Sequence, residues 1–148
     1  MFYGQYEHAL DGKDRLIVPA KFREIFKEHY VEKFYITRGL DRCLFVFAEE
    51  EWKNQEQRFR EMPFTNEQSR KFNRLYFSGA CEVLCDKQGR ILVPLFLKQY
   101  AEIKENVIII GVSDRIEIWS KEKWNMFFKD NMDSFESLAE KLVDPKQK

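Results

Sequence analysis

The sequence predicts an α+β fold, mainly β, in which two β-β-α-β-β half-units interlock their hairpins into one barrel of pseudo-twofold symmetry with flanking helices. Three observations predict it. The second half of the chain repeats the first, each copy places strand-like runs around one amphipathic helix, and a half-unit of about 45 residues is too small to bury its own apolar faces. The whole chain of 148 residues, 44% of them hydrophobic, has the length of one domain.

The repeat aligns without gaps over most of each half. YEHALDGKDRLIVPAKFR, residues 6–23, matches CEVLCDKQGRILVPLFLK, residues 81–98, at an offset of 75. The segments that begin at Tyr35 and Val107 match at an offset of 72. The change of offset falls between a helix and a strand, where loops absorb deletions. Two copies are too few for a solenoid, so we expect two half-units around one shared core.

Each copy opens with a hairpin. In the first copy an alternating strand over residues 6–10 leads into the polar turn DGKD and a second strand over 15–18. Pro19 is predicted at the first position of a helix, where its missing N–H costs nothing. Apolar and aromatic side chains then recur on one helix face, at Phe22, Ile25, Phe26, His29 and Tyr30.

A second pair of strands follows each helix. The predicted strands are 34–37 and 43–47 in the first copy, and 107–110 and 115–119 in the second. Gly39 and Gly111 mark the turn within each pair. Each copy is therefore read as β-β-α-β-β.

Charged helical segments follow each copy. After the first, a helix over 49–61 is stopped by Pro63, and Thr65 with Gln68 forms a capping box for the next helix. After the second copy, helices are predicted over 121–129 and 134–142, with a frayed tail from Asp144. We divide the chain accordingly into repeat 1 (5–48), a helical connector (49–77), repeat 2 (78–120) and a C-terminal helical segment with its tail (121–148).

Composition excludes several classes of protein. Lys plus Arg and Asp plus Glu both number 25, so the formal net charge is zero. This balance argues against a protein that coats nucleic acid generally, although it leaves room for a local basic face. No apolar run approaches the roughly 18 residues of a membrane helix, and the N-terminus lacks the pattern of a signal peptide. We therefore expect a cytoplasmic protein without membrane contact.

No pattern of a catalytic or metal site is found. The two histidines, His8 and His29, are read as structural, in a strand and on the apolar helix face. Cys81, Cys85 and Cys43 do not make a zinc or disulfide pattern and are read as small buried hydrophobes. Phosphate-binding loops and hydrolase motifs are absent from the sequence. We expect no enzymatic activity, no cofactor, no metal and no small-molecule substrate.

The paired motifs resemble a known family. D-x-x-x-R followed by a β run and Pro occurs twice, at 11–15 and 86–90, and is similar to the motif of the MraZ family of bacterial transcriptional regulators. The start MFYG, PAKFR, RGLDRCLFVF and the paired Trp52 and Trp124 also match, so the resemblance covers residue 1 to about 142. It implies two SpoVT/AbrB-type half-barrels fused as swapped hairpins, a DNA-binding regulator of the division and cell-wall gene cluster, and a ring-shaped oligomer.

One position departs from the family pattern. The residue before the first Arg is usually Gly, and here it is Asp14, whereas Gly89 keeps the pattern in the second copy. Asp tolerates a left-handed turn better than most residues, so the turn is expected to survive. The extra carboxylate beside Arg15 is expected to weaken phosphate binding at that tip, so the two tips need not contribute equally.

Two interpretations of the Asp/Arg pairs stay open. In the structural one, each Asp simply pairs with its Arg and fixes the turn, which the residues alone favour. In the functional one, which the resemblance favours, the hairpin tips bind DNA, because Arg binds phosphate and reads guanine. The predicted DNA-binding residues are Arg15, Lys13, Arg90 and Lys87, and the predicted turn-orienting residues are Asp11 and Asp86.

The leading functional hypothesis is a sequence-specific transcriptional regulator associated with the nucleoid, whose partner is double-stranded DNA. A homo-oligomeric ring would multiply a few weak contacts per subunit, which predicts recognition of short direct repeats in a promoter. The alternative is an oligomeric protein-interaction scaffold with incidental DNA binding, which suits the zero net charge and the 16% of aromatic residues.

Overall fold

The computed structural model describes residues 1–142, so the predicted frayed tail from Asp144 lies outside the described residues. The strands are β1 (Gln5–Ala9), β2 (Arg15–Ile17), β3 (Phe34–Arg38), β4 (Leu44–Ala48), β5 (Cys81–Val83), β6 (Arg90–Leu92), β7 (Asn106–Val112) and β8 (Arg115–Ser120). The helices are α1 (Ala20–Glu28), α2 (Glu49–Arg60), α3 (Glu67–Ser78), α4 (Leu95–Tyr100), α5 (Lys121–Asn131) and α6 (Phe135–Leu142), with a short 3-10 helix (Met132–Ser134) before α6.

Six strands form an open antiparallel sheet in the order β1-β7-β8-β4-β3-β5, and β2 pairs with β6 in a separate two-stranded ribbon. The order is palindromic: exchanging each strand with its repeat equivalent gives the same sheet read from the other end. The predicted α+β fold with two similar halves is therefore confirmed. Sheet forms most of the core, and β1 and β5 are the edges of the main sheet.

The two halves exchange strands. β1 of the first half pairs with β7 of the second, from Gln5 opposite Ile110 to Ala9 opposite Asn106. β5 of the second half pairs with β3 of the first, with Ile36 opposite Cys81. β4 and β8 meet at the centre. Neither half therefore contains the hydrogen-bonding partners of its own first strand.

The sheet is buried on both faces. On one face, side chains from both halves and from the inner side of the ribbon form the larger core, including Leu16, Phe22, Ile36, Ile91 and Ile109. On the other, α2 and α3 cover a second cluster made of Cys43, Phe45, Phe47, Trp52, Tyr76 and Trp119. β4 and β8 at the centre are consequently buried almost without alternation.

The structure corrects the predicted starts of three helices. Pro19 and Pro94 are the N-cap residues of α1 and α4 rather than their first helical residues, because their ψ angles of 137° and 143° are extended. Asn66, not Thr65, caps α3, and its side chain accepts hydrogen bonds from the backbone N–H groups of Gln68 and Ser69.

Several predicted core positions are less buried than expected. Helix α1 ends at Glu28, so His29 and Tyr30 leave the apolar face and are exposed. Cys43 is buried, as predicted, but Cys81 and Cys85 are half-buried at the margin of the larger core. Cys85 also lies beyond the end of β5, so the two cysteines are not on one strand.

Candidate nucleic-acid interface

The β2/β6 ribbon presents a two-sided arrangement of side chains. Leu16 and Ile91 lie opposite each other, only 1% and 3% exposed, and face the core. Because side chains alternate along a strand, the flanking residues face outward. The outer face therefore carries two arginines and two aliphatic side chains, with Arg15 opposite Leu92 and Ile17 opposite Arg90.

The turn before β2 is organised by Asp11. One carboxylate oxygen, Oδ1, accepts hydrogen bonds from the backbone N–H groups of Lys13 and Arg15, both at 2.9 Å. The other, Oδ2, accepts from Nε of Arg15 at 2.8 Å. The backbone closes the same turn, since Asp11 N–H donates to the Arg15 carbonyl at 3.0 Å. The guanidinium keeps its terminal amino groups for a further acceptor.

The turn before β6 repeats this geometry. Asp86 Oδ1 accepts from the backbone N–H groups of Gln88 and Arg90, both at 2.9 Å, and its Oδ2 accepts from Nε of Arg90 at 2.8 Å. The spacing of D-x-x-x-R thus has a physical reason: three residues separate the aspartate that starts the turn from the arginine that begins the next strand.

Each turn also binds the strand of the other half. The Val18 N–H donates to the Gly89 carbonyl and the Val93 N–H to the Asp14 carbonyl, both at 2.9 Å. In addition, Nη1 of Arg90 lies 3.8 Å from Oδ2 of Asp11, so this carboxylate is shared between the two arginines of the ribbon. The two motifs, 75 residues apart in the sequence, form one continuous surface.

Asp14 and Gly89 occupy equivalent left-handed positions, with φ angles of 59° and 79°. Their surroundings differ. A side chain on Gly89 would collide with Arg23, since a Cβ there would lie 2.6 Å from its Nη1. Asp14 instead forms an ion pair with Lys98, the repeat equivalent of Arg23, at 2.8 Å. The predicted turn survives, and the extra carboxylate pairs with Lys98 rather than with Arg15.

The pKa values of both aspartates of the motifs are lowered. The pKa of Asp11 is lowered to about 2, chiefly because its carboxylate accepts the backbone N–H of Arg15, and further by hydrogen bonds from the Lys13 N–H and the Arg15 guanidinium. The pKa of Asp86 is lowered for the same kind of reason, first through the backbone N–H of Arg90. The carboxylates are therefore ionised at neutral pH and hold their arginines.

The predicted lysines lie in the two turns but not at equivalent places. Lys13 and Lys87 are both exposed. The offset of 75 aligns Lys13 with Gln88, and Lys87 with Gly12. The first turn therefore carries its positive charge one residue later than the second turn does.

Sequence reasoning missed two members of this surface. Ile17 and Leu92 are 45% and 56% exposed on the outer face, and neither is among the site residues predicted from the sequence. The signal was present in the strands RLIV and RILV, because an outward Arg at the first position places the third position outward as well.

Other kinds of site find no support in the described part of the chain. Residues 1–142 contain no cluster of three or more His, Cys, Asp or Glu side chains arranged to hold a metal ion. Over the same range, every helix is too short or too polar to span a bilayer.

The fold and the ribbon define a tandem-repeat protein. Its two repeats together form one basic surface on the β2/β6 ribbon. The family model described as "MraZ protein, putative antitoxin-like" matches the chain twice, over residues 1–75 and 76–146. The chain therefore belongs to the MraZ family, and the resemblance seen in the sequence is confirmed.

Two relatives cover nearly the whole chain. A protein of Acetivibrio thermocellus named "Transcriptional regulator MraZ" is 51% identical over 143 residues, which are 97% of this chain and 97% of the relative. A protein of the same name from Carboxydothermus hydrogenoformans is 48% identical over 144 residues, covering 97% and 98%. Both carry the name of a regulator rather than that of an enzyme, which confirms the expectation of a non-enzymatic protein.

Proposed function

We propose that the protein is a sequence-specific DNA-binding transcriptional regulator that reads DNA with the outer face of the β2/β6 ribbon. One observation carries the proposal: Arg15 and Arg90 stand on one face of a two-stranded ribbon, each held by an aspartate in the same turn geometry. A ribbon of this kind fits the major groove, which is about 12 Å wide, and Arg donates two hydrogen bonds to guanine.

The other predicted site residues take supporting roles in this proposal. Lys13 and Lys87 are exposed in the flanking turns, where they bind phosphates on either side of the groove. Asp11 and Asp86 orient the turns and the arginines and do not themselves contact the anionic duplex. In this proposal both interpretations of the pairs hold: the aspartates fix the turns, and the arginines bind DNA.

The fold proposed for this function is the swapped-hairpin, AbrB-like barrel that the family resemblance implies. The exchange of β1 and β5 between the halves supports it, as does the palindromic strand order. We propose the same division of the chain as from the sequence, with repeats at 5–48 and 78–120, a helical connector at 49–77 and a C-terminal segment at 121–148.

A ring-shaped homo-oligomer is part of the proposal, and the two ends of the sheet support it. The β3–β4 turn borders a cleft with Arg38, Arg42 and Tyr100, and Arg42 lies over the Tyr100 ring at 5.1 Å. The equivalent β7–β8 turn, at the opposite end, borders a cleft with Asp114, Glu50 and Glu51 among its lining residues. A basic end and an acidic end on one chain favour head-to-tail contacts, which close into rings.

An exposed apolar stripe gives second support for oligomers. In the first half, α3 covers α2, and the rings of Trp52 and Tyr76 stack with centroids 5.7 Å apart. The equivalent of α2 in the second half is α5, and neither α5 nor the following α6 has a buried residue within 1–142. Their exposed apolar side chains follow a heptad-like spacing at Phe128, Phe135, Leu138 and Leu142.

Oligomerisation would also explain DNA binding by a chain with no net charge. A ring offers many copies of one weak surface, so tethered sites act at high effective concentration. We therefore propose that the protein binds short direct repeats in the promoter of its own division and cell-wall gene cluster, as a cytoplasmic protein associated with the nucleoid.

The test is a titration of Arg15→Ala and Arg90→Ala against duplex DNA from just upstream of the gene and against a scrambled duplex, at fixed salt. Each variant should lose about 1–3 kcal/mol of discrimination while the oligomer stays intact. Arg74→Ala, an exposed arginine on α3, is the matched control and should bind like the wild type. Lys13→Ala should weaken both duplexes alike and lower the salt slope by about one.

The alternative, a protein-interaction scaffold, is favoured by the exposed stripe on α5 and α6 and by the zero net charge. Indistinguishable binding of upstream and scrambled duplex by the wild-type oligomer would support the scaffold and contradict the regulator. Normal discrimination by both arginine variants would contradict the assignment of the ribbon.

A further inference from the structure

The outer face of the ribbon carries an apolar pair that the anchoring of the turns does not use. Ile17 and Leu92 are equivalent in the repeat, and each lies directly across from an arginine of the other strand. They are 45% and 56% exposed, on the face that holds Arg15 and Arg90. A β-branched or long aliphatic side chain on this face is exposed to water in the free protein.

The four outward side chains of the ribbon, two arginines and two aliphatic residues, are spaced closely enough to contact neighbouring base pairs. Side chains opposite each other on paired strands lie about 4.5–5.5 Å apart at Cβ. Base pairs follow each other at about 3.4 Å along the helix. An arginine that binds one base therefore sets the opposite aliphatic side chain over a base one or two steps away. In the major groove, the apolar group presented by a base edge is the C5 methyl of thymine.

We propose that Ile17 and Leu92 read thymine by burying its C5 methyl group beside the guanine bound by the opposite arginine. The proposal rests on the proposed DNA-binding function and adds the second base that the ribbon distinguishes. It assigns sequence preference to apolar contact as well as to hydrogen bonds. Because the two positions are related by the pseudo-twofold, each end of the ribbon carries one guanidinium and one methyl contact.

A structural role for the pair makes a different prediction. An aliphatic side chain across from an arginine covers the methylene stem of that arginine and restrains its position. In that case Ile17 and Leu92 would support the guanine contact without touching thymine. The two roles are separated by a change in the DNA that removes only the methyl group, which uracil in place of thymine provides.

The experiment starts from the intact oligomer and a randomised duplex library, from which the preferred duplex is selected at fixed salt. The selected duplex is then prepared with uracil in place of each thymine in turn. At one thymine position or more, the wild-type protein should bind the uracil duplex about four-fold more weakly, which corresponds to about 0.8 kcal/mol for one buried methyl group.

Variants then assign the contact. Ile17→Ala or Leu92→Ala should bind the thymine duplex more weakly than the wild type does, and should no longer distinguish thymine from uracil at the position concerned. Met62→Ala, a 41% exposed methionine between α2 and α3, is the control and should keep the full preference for thymine. Circular dichroism and sedimentation check that each variant keeps its fold and assembly.

The outcomes separate this proposal from the function on which it rests. If no duplex is enriched over random sequence, the proposed function fails. If a duplex is selected and depends on Arg15 or Arg90, but uracil substitution leaves wild-type affinity unchanged at every position, thymine reading is overturned while DNA recognition stands. Equal thymine preference in the wild type and in both aliphatic variants also overturns the assignment.

Discussion

At the scale of the residue, one aspartate organises each hairpin tip. Asp11 accepts three hydrogen bonds, two from the backbone of its own turn and one from the side chain that it orients. The turn and the guanidinium are therefore fixed by the same carboxylate, and a change of its charge acts on both. Asp86 does the same in the second half.

This leads to a prediction about acid stability. The pKa of Asp11 lies near 2 in the folded protein, below its usual 3.8, so the unfolded chain binds the proton more readily. The stabilisation is complete above about pH 4 and is lost as the pH falls toward 2. Asp11→Asn keeps the Oδ1 acceptor but cannot accept from Nε of Arg15, so its free energy of unfolding should change less over this range.

The measurement is urea denaturation of wild type and Asp11→Asn from pH 2 to 7, a range set about the pKa of Asp11. Asp133→Asn, at an exposed position in the 3-10 helix, is the control and should follow the wild-type curve. Parallel curves for the wild type and Asp11→Asn would contradict the role given to this carboxylate.

At the scale of the element, capping decides where helices begin. Helix α3 starts after Asn66, whose side chain accepts from two of the N–H groups that no helical carbonyl can reach. Its last turn is held to the sheet by Thr37 of β3, whose hydroxyl donates to the Tyr76 carbonyl at 2.6 Å. The helix that covers Trp52 is thus fixed at both of its ends.

Asn66→Ala should lower the free energy of unfolding by about 1 kcal/mol, the usual cost of losing an N-cap. Thr65→Ala, the neighbouring residue with an equally short polar side chain, should be nearly neutral because it does not cap α3. Denaturant unfolding of both variants measures the difference. A larger loss of stability from Thr65→Ala than from Asn66→Ala would contradict this and would make Thr65 the cap, as the capping-box pattern predicts.

Most of the helices and strands can be predicted from the sequence pattern, and the exceptions have physical causes. Periodicity predicts where strands and helices run. It does not predict the cap, which depends on which side-chain oxygen reaches the free N–H groups, and Thr65 and Asn66 are both good candidates. The D-x-x-x-R spacing correctly predicts that Asp11 and Arg15 flank one turn and can pair across it. The pair Asp14–Lys98 joins residues 84 apart, and local pattern carries no information about such a contact.

At the scale of the whole molecule, the pseudo-twofold is broken by charge. The two ends of the sheet are closed by the turns of equivalent hairpins, 39–43 and 113–114, yet one is lined by Arg38 and Arg42 and the other by Asp114, Glu50 and Glu51. A symmetric pair of ends would favour self-complementary dimers. Opposite ends instead favour a polar chain of subunits, which closure turns into a ring.

Arg42→Glu should therefore lower the mass of the proposed assembly, because it places like charges at the proposed contact between subunits. Combining Arg42→Glu with Asp114→Arg reverses both ends and should recover the assembly. Lys104→Glu, an exposed charge reversal elsewhere, is the control. Sedimentation at matched protein concentration and salt reports the mass. Unchanged assembly in Arg42→Glu, or failure of the double variant to recover, would contradict head-to-tail contact.

The exchange of strands between the halves delays the pairing of β1 while the protein is being synthesised. β1 finds its partner β7 about a hundred residues later in the chain. At about 5–20 residues per second, the ribosome takes on the order of 5–20 seconds to add them. The first strand therefore stays unpaired on the nascent chain until β7 has been synthesised. The unpaired strand is polar, since it contains Gln5, Glu7 and His8. Its polar side chains disfavour pairing with a nascent chain on a neighbouring ribosome.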